Sequence, residues 1–250
     1  MPRSEADPAD SSPELSPLDI SQDLAPLPAY KEAGTTKIDL DGLLEPPLGL
    51  REDLSSGCGG QTWPAGMVLA KHMLRYHRED LAKERILELG AGGGLVGLAV
   101  ARGCATEAPL YVTDQVEMLS LMEHNIAENK LADKARARIL NWGEPLDAEI
   151  TSFKPTVILA ADCVYFEPAF PLLLRTLTDL LQLNPSATIY FCFKKRRRAD
   201  MQFLAKAIKT FDVAEAEDAD RPVFGRQALF LYTIRSKAAN AEKKGGIRRK

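Results

Sequence analysis

The chain has 250 residues, of which 45% are apolar and 27% are charged, which suffices for one buried core with tails. Its net charge of −3 and its pI near 5.8 argue against general affinity for nucleic acid. The first residues lack the pattern of a secretory signal, and no apolar run is long enough to cross a membrane. We therefore expect a monomeric cytoplasmic protein that binds neither nucleic acid nor a membrane.

The four cysteines, Cys58, Cys104, Cys163 and Cys192, stand far apart in the sequence. They form no C-x-x-C pair, and no histidine stands at ligand spacing from them. This spacing predicts neither a metal site nor a disulfide framework. We therefore expect reduced thiols and no bound metal.

The two ends of the chain differ in composition from its middle. Residues 1–45 are rich in Pro, Ser, Asp and Ala and lack periodicity, which predicts a disordered acidic leader. Residues 237–250 form a basic tail. Short alternating segments at 38–40 and 48–50 indicate edge strands. A loop then opens a helix, for which Thr62 is the expected N-cap and Pro64 lies in the first turn.

Strands and helices are predicted to alternate through the middle of the chain. A continuous apolar run at 156–161 indicates a central strand that is covered on both faces. The strands are expected at 86–89, 109–113, 135–140, 156–161, 187–193, 211–213 and 228–234, and the helices at 67–76, 95–101, 116–129, 170–183 and 201–210. This alternation predicts an α/β fold with a doubly wound, mostly parallel seven-stranded sheet.

The clearest chemical motif is the run from Arg85 to Gly97, in which a short apolar strand leads into a glycine cluster and then a helix. Glycine lets the backbone approach a ligand closely, while the N-terminus of the next helix offers unpaired N–H groups and a positive dipole end. Such a strand, turn and helix make a nucleotide pocket.

Two cofactor patterns fit the same glycines. Gly92-x-Gly94-x-x-Gly97, with Asp114 about 20 residues on, fits the dinucleotide fingerprint. Glu88-x-Gly90-x-Gly92-x-Gly94 fits the pattern that methyltransferases use for S-adenosylmethionine. The spacing favours the methyl donor, because Gly90 and not Gly92 directly follows the strand. A buried Glu88 also requires a hydrogen-bond donor, which a cationic methionine group or a backbone amide would supply.

Six segments follow one another along residues 55–235: Thr62-Trp63-Pro64-Ala65, Glu88-Leu89-Gly90-Ala91-Gly92, Val112-Thr113-Asp114, His124-Asn125 with Asn129, Asn141-Trp142-Gly143 and Ala161-Asp162-Cys163-Val164-Tyr165. Together they resemble the class I methyltransferases, and among them the lysine-directed protein methyltransferases that include the enzyme acting on valosin-containing protein. Gly93 departs from that pattern, since the family more often has threonine there. The resemblance implies a Rossmann-like methyltransferase domain over residues 46–236.

The acidic leader and the run Phe193-Lys194-Lys195-Arg196-Arg197-Arg198 resemble, more narrowly, fungal enzymes that methylate a lysine of translation elongation factor 1A. This implies a protein substrate and S-adenosylmethionine as cofactor. The basic run itself has three interpretations: a solvated loop, a surface that steers an acidic partner, or a nuclear address.

The resemblance also implies roles for individual residues. Asp114 would accept hydrogen bonds from the ribose, Trp142 would lie against adenine, and Trp63 would close over the cofactor. A helix cap for Asp114 and core packing for the tryptophans are the structural alternatives. The implied cofactor-binding residues are Trp63, Glu88, Gly90, Ala91, Gly92, Asp114, Trp142 and Ala161.

Asp162 and Tyr165 match an Asp-x-x-Tyr pattern that the family places beside the substrate lysine, which implies that they are catalytic. Asp162 follows a predicted buried strand, at the sheet edge where doubly wound folds bind ligands. A strand-end cap and ordinary packing remain the alternatives for these two residues. The overall prediction is a protein-lysine N-methyltransferase, with a small-molecule N-methyltransferase and a nicotinamide-dependent oxidoreductase as alternatives.

Overall fold

The computed structural model describes residues 33–56 and 58–238. The predicted leader up to residue 32 and the basic tail from residue 239 lie outside the described residues. The strands are β1 (Gly34–Ile38), β2 (Leu48–Glu52), β3 (Ile86–Leu89), β4 (Leu110–Asp114), β5 (Ala135–Ile139), β6 (Val157–Ala161), β7 (Thr188–Lys194), β8 (Asp212–Glu215) and β9 (Leu229–Arg235). The helices are α1 (Pro64–Tyr76), α2 (Leu95–Gly103), α3 (Val116–Glu128), α4 (Ala148–Phe153), α5 (Phe170–Leu183), α6 (Arg198–Thr210) and α7 (Arg221–Arg226).

Seven strands form one sheet in the order β5-β4-β3-β6-β7-β9-β8. The first five of these run parallel, whereas β9 is antiparallel to both β7 and β8. The chain builds outward from β3 to β5 and then returns to place β6 on the other side of β3. The predicted doubly wound, mostly parallel seven-stranded sheet is therefore confirmed, and its crossover point lies between β3 and β6.

Helices cover both faces of this sheet. Side chains of α1, α2 and α3 pack in one apolar cluster, and side chains of α4, α5 and α6 pack in the other. The short central strand β3 contributes Ile86 to the first cluster and Leu87 and Leu89 to the second. Among the residues that the structure describes, no helix combines the length and the apolar character needed to cross a membrane.

The N-terminal boundary of the folded part differs from the predicted one. Strand β1 ends at Ile38, where the sequence predicted a strand to begin, and it pairs with β2 in an antiparallel hairpin. Leu40 and Leu44 are 0% and 3% exposed, so residues assigned to a disordered leader belong to the core. The sequence concealed this because Leu40 and Asp41 adopt positive φ angles in a turn, which breaks any apolar periodicity.

Two other local predictions were wrong or incomplete. Trp63, and not Thr62, is the N-cap residue of α1, and Pro64 occupies the first helical position. The six-residue helices α4 and α7 were not predicted, since neither is long enough to show a helical period. The start of α4 is fixed by a side chain, because Asp147 accepts a hydrogen bond of 2.7 Å from the Ile150 N–H.

Two buried asparagines of the α3 region hold the β1–β2 hairpin in place. The Asn125 amide accepts a 2.8 Å bond from the Arg51 N–H and donates to the carbonyls of Arg51, at 3.2 Å, and Gly93, at 2.9 Å. Asn129 bonds in the same two-way manner to the N–H and carbonyl of Gly49, at 3.0 and 2.7 Å. The side chains thus continue the hydrogen-bond ladder of β2, and Asn125 also fixes the glycine turn after β3.

Asn125→Ala should lower the free energy of unfolding by about 1–3 kcal/mol, because it removes a buried amide and leaves partly buried backbone groups of Arg51 and Gly93 without their partner. Urea denaturation measures this change. His124→Ala, at the preceding exposed position of α3, is the matched control and should cost less than about 0.5 kcal/mol. Equal stability of the two variants would show that water replaces the lost amide.

Candidate active site

A cavity of about 680 Å³ opens above the carboxyl ends of the central strands, beside the crossover between β3 and β6. All ten residues predicted for the site line it: Trp63, Glu88, Gly90, Ala91, Gly92, Asp114, Trp142, Ala161, Asp162 and Tyr165. They are brought together because parallel strands end at the same edge of the sheet and the loops that follow them converge there.

The glycine turn after β3 forms one wall of the cavity. Gly90 and Gly92 both have positive φ, 63° and 56°, a conformation that side chains rarely adopt. A Cβ on Gly92 would lie 2.2 Å from the Gly59 carbonyl oxygen, and one on Gly90 would lie 2.7 Å from the Trp142 ring. Glycine is therefore required at both positions, because backbone from one side and an aromatic ring from the other approach the turn closely.

Glu88 lies beneath this turn and is almost fully buried. Its carboxyl oxygens accept hydrogen bonds from the N–H groups of Val96, at 3.3 Å, and Gly97, at 2.7 Å, in the first turn of α2. Burial raises the pKa of Glu88 to about 8, and the two N–H groups oppose that rise. The donor that a buried Glu88 requires is thus a backbone amide, and this contact fixes the start of α2 against β3.

Asp114 ends β4 on the next side of the cavity. Its two oxygens accept 2.7 Å hydrogen bonds from the N–H groups of Gly92 and Gln115, so it supports the glycine turn and caps the approach to α3. Burial raises its pKa, against the effect of these two bonds. A carboxylate has about four acceptor positions, and two of them remain for groups inside the cavity.

The two tryptophans lie on different sides of the cavity, and both are half-buried. Trp142 follows β5, and its ring packs beside Gly90. Trp63 precedes α1, and the guanidinium of Arg196 lies 5.2 Å from the centre of its ring. Each aromatic face thus borders the space in which a flat ligand group would lie.

Asp162 lies at the tip of β6 in a left-handed conformation, with φ of 57°, and is 6% exposed. Its partner was not predicted from the sequence. Arg196 donates two hydrogen bonds to the Asp162 carboxylate, at 2.8 and 2.6 Å, and the Lys194 N–H donates a third at 3.3 Å. Arg196 belongs to the basic run of residues 194–198, in which no single residue was predicted to contact the site.

The rim of the cavity beside Asp162 is apolar and exposed. Tyr165, Phe166 and Leu172 are 45%, 55% and 46% exposed and line the same cavity. The Tyr165 carbonyl accepts a hydrogen bond from the Arg197 guanidinium, which ties this rim to the loop after β7. Only Tyr165 of these three was predicted, since Phe166 and Leu172 belong to no motif and their exposure is a property of the fold.

Comparison with known proteins gives several relatives that are named as lysine methyltransferases. Residues 43–210 match the model of a family described as lysine methyltransferase. The protein-lysine N-methyltransferase EFM6 of Saccharomyces cerevisiae is 37% identical over 214 residues, which cover 77% of this chain and 87% of that protein. EEF1A lysine methyltransferase 3 of Mus musculus is 34% identical over 142 residues, which cover 56% of this chain and 57% of that protein.

Solved structures share the fold at low sequence identity. The mitomycin 7-O-methyltransferase MmcR superposes with a TM-score of 0.50 and 14% identity, over 69% of this chain and 52% of that one. At this identity the likeness concerns the fold alone.

The buried carboxyl group of Glu88 predicts a pH-dependent stability. A group whose pKa rises on folding, here from 4.5 to about 8, stabilises fully below pH 4.5 and loses that contribution as the pH rises through 8. Glu88→Gln removes this titration. The free energy of unfolding of the parent chain, relative to the variant, should therefore fall by about 1.4 kcal/mol per pH unit between pH 5 and 8.

Urea denaturation at half-unit pH steps measures this difference. Glu123→Gln, which removes an exposed carboxylate in the middle of α3, is the control for the loss of a surface charge. A Glu88→Gln curve parallel to that of the parent would show that Glu88 is ionised in the folded protein at neutral pH.

Proposed function

This chain belongs to the lysine methyltransferase family and is a protein-lysine N-methyltransferase, and from that premise we propose that it uses S-adenosylmethionine to methylate a lysine of translation elongation factor 1A. The observation that carries the proposal is the convergence of a glycine turn, Asp114 and Asp162 on one cavity at the sheet crossover. The family decides against the two alternatives that the sequence left open, a small-molecule methyltransferase and a nicotinamide-dependent enzyme.

The residues around the cavity fit an adenosyl ligand. The turn at Gly90 and Gly92 has no side chains to obstruct a close approach, and Ala91 between them is small. Asp114 has acceptor positions for the two ribose hydroxyls, while Trp142 offers a face for the adenine and Trp63 a cover. The volume is in the range of cavities that hold ligands of this size. Glu88 contributes indirectly, because its hydrogen bond to the Gly97 N–H fixes the start of α2 behind the turn.

The bound donor supplies a methyl group on a positively charged sulfur, which an amine attacks directly. The amine must be neutral, yet a free lysine with a pKa of about 10.4 is neutral only about one time in 2,500 at pH 7, a deficit of about 4.6 kcal/mol. We assign Asp162 and Tyr165 to holding the amine in line with the reacting bond. Water then takes the proton before transfer, so no side chain of the site is required to act as a base.

Several observations support a protein substrate of this kind. Exposed Tyr165, Phe166 and Leu172 make an apolar rim around the mouth of the cavity, which is the kind of surface that binds protein. The mouse relative named for EEF1A is 34% identical over its matched part. Elongation factor 1A is a translation protein, so we propose that the enzyme acts in the cytoplasm. We also propose that it acts as a monomer and requires neither nucleic acid nor a membrane.

Labelled methyl transfer tests the proposal. Incubation of the chain with labelled S-adenosylmethionine and purified elongation factor 1A should label one lysine, which peptide mass spectrometry locates. Asp162→Asn keeps the left-handed backbone, which asparagine tolerates, and should lower the transfer rate about 100-fold while donor affinity by calorimetry changes less than twofold. Label that enters only small molecules would contradict the proposal, and full activity of the variant would contradict the role of Asp162.

The apolar rim gives a separate prediction. Phe166→Ser should raise the KM for elongation factor 1A about tenfold and leave the donor affinity unchanged, because Phe166 lies on the outer edge of the cavity. Steady-state kinetics with each substrate varied in turn measures this. Ile208→Ser is the matched control, since Ile208 is 50% exposed on α6. An unchanged KM in Phe166→Ser would remove the rim from the substrate surface.

A further inference from the structure

The ion pair between Asp162 and Arg196 lies on the wall of the cavity, and the roles proposed above for Asp162 and Tyr165 do not use it. The guanidinium holds the carboxylate through two bonds, at 2.8 and 2.6 Å, the fork geometry that arginine forms and lysine cannot. The Asp162 side chain is 4% exposed and that of Arg196 is 28% exposed, so the carboxylate of the pair is shielded from water while the arginine stays partly solvated.

A carboxylate alone at this place would work against methyl transfer. A nearby negative charge favours the charged form of an amine, and the ammonium form has no lone pair with which to attack a methyl group. With the guanidinium bound, the pair carries no net charge. Asp162 nevertheless retains an acceptor position, because Arg196 and the Lys194 N–H occupy three of about four.

We propose that Arg196 is a positioning residue of the transfer reaction, which neutralises Asp162 so that this carboxylate accepts a hydrogen bond from the substrate's neutral amine without favouring the ammonium. This inference rests on the proposed function, and it deepens that function by assigning the control of the protonation state of the lysine to Arg196.

The loop after β7 is built to hold the guanidinium in place. The buried carboxylate of Asp200 accepts bonds from the N–H groups of Arg196 and Arg197, at 2.7 and 2.8 Å, which fixes the backbone before α6. Arg196 also donates to the Lys194 carbonyl at 3.3 Å and lies against the Trp63 ring. The side chain is therefore held by contacts from the β7 end, from Asp162 and from the start of α1.

Other ionisable groups face Asp162 or the cavity beside it. They are the thiols of Cys163 and Cys192, the phenol of Tyr165, the carboxyl groups of Glu52, Glu88 and Asp114, and the guanidinium of Arg51. Burial, and then negative charges that include Asp162, raise the pKa of both thiols, and burial raises the pKa of Glu88 to about 8. Arg51 is 3.6 Å from Asp53, whereas Arg196 contacts Asp162 directly.

The test is the pH dependence of kcat, measured from pH 6.5 to 10 with saturating donor and elongation factor 1A. Arg196→Gln should move the acidic limb of the profile upward by about one pH unit, since one neighbouring charge changes a titration by about that much. Its rate at pH 7 should fall about tenfold, and the ratio of the two rates should shrink once the pH passes the midpoint of the parent's acidic limb, which the pH series must bracket. Arg198→Gln, an equal charge change at an exposed position of the same run, should leave the profile in place.

Arg196→Lys separates charge from geometry. It keeps a cation beside Asp162, so its acidic limb should stay where the parent has it while its kcat falls by a constant factor. If Arg196→Gln lowers kcat by the same factor at every pH, its role is merely structural and the inference is overturned. Identical pH profiles of the parent and of Arg196→Gln would overturn it too. Absence of any transfer by the parent chain would instead overturn the proposed function, and the inference with it.

Discussion

The architecture of the site depends on one topological constraint, the return of the chain from β5 to the free side of β3. That crossover places the tips of β3, β4 and β6 side by side, and the helices that follow β3 and β6 leave to opposite faces of the sheet, which opens a crevice between them. Each tip carries a polar group with a different task. Glu88 holds a helix, Asp114 holds the glycine turn, and Asp162 holds a guanidinium, so all three carboxylates have backbone or side-chain partners within the protein.

Much of the fold follows from local sequence. The leucine-rich helix α5 is predicted to its end residues, and the continuous apolar run of β6 is recognised as a buried central strand, because both patterns are long or uninterrupted. Prediction fails where the determinant is distant in sequence. Leu40 and Leu44 lie in the core through a turn with positive φ, and the short helices α4 and α7 depend on capping and tertiary contacts.

The candidate site shows the same division. Asp114, the last residue of β4, and Asp162, the residue after β6, are predicted from the sequence because the ends of parallel strands meet at one edge of the sheet. Arg196 is missed because it stands within five consecutive basic residues, and nothing local distinguishes the one that turns inward. The register of β6 and β7 pairs Ala161 with Cys192, which brings the residues beyond both strand ends together, but that register is known only from the sheet.

Because Asn125 bonds both to strand β2 and to the turn that carries Gly93, the hairpin and the crevice share one anchor. Linkage between two equilibria is reciprocal, so a molecule that orders the turn should also slow the solvent exchange of the Arg51 amide proton, which Asn125 accepts. Because Leu50, Arg51 and Glu52 of β2 also line the cavity, the hairpin is coupled to occupancy of the crevice both directly and through Asn125.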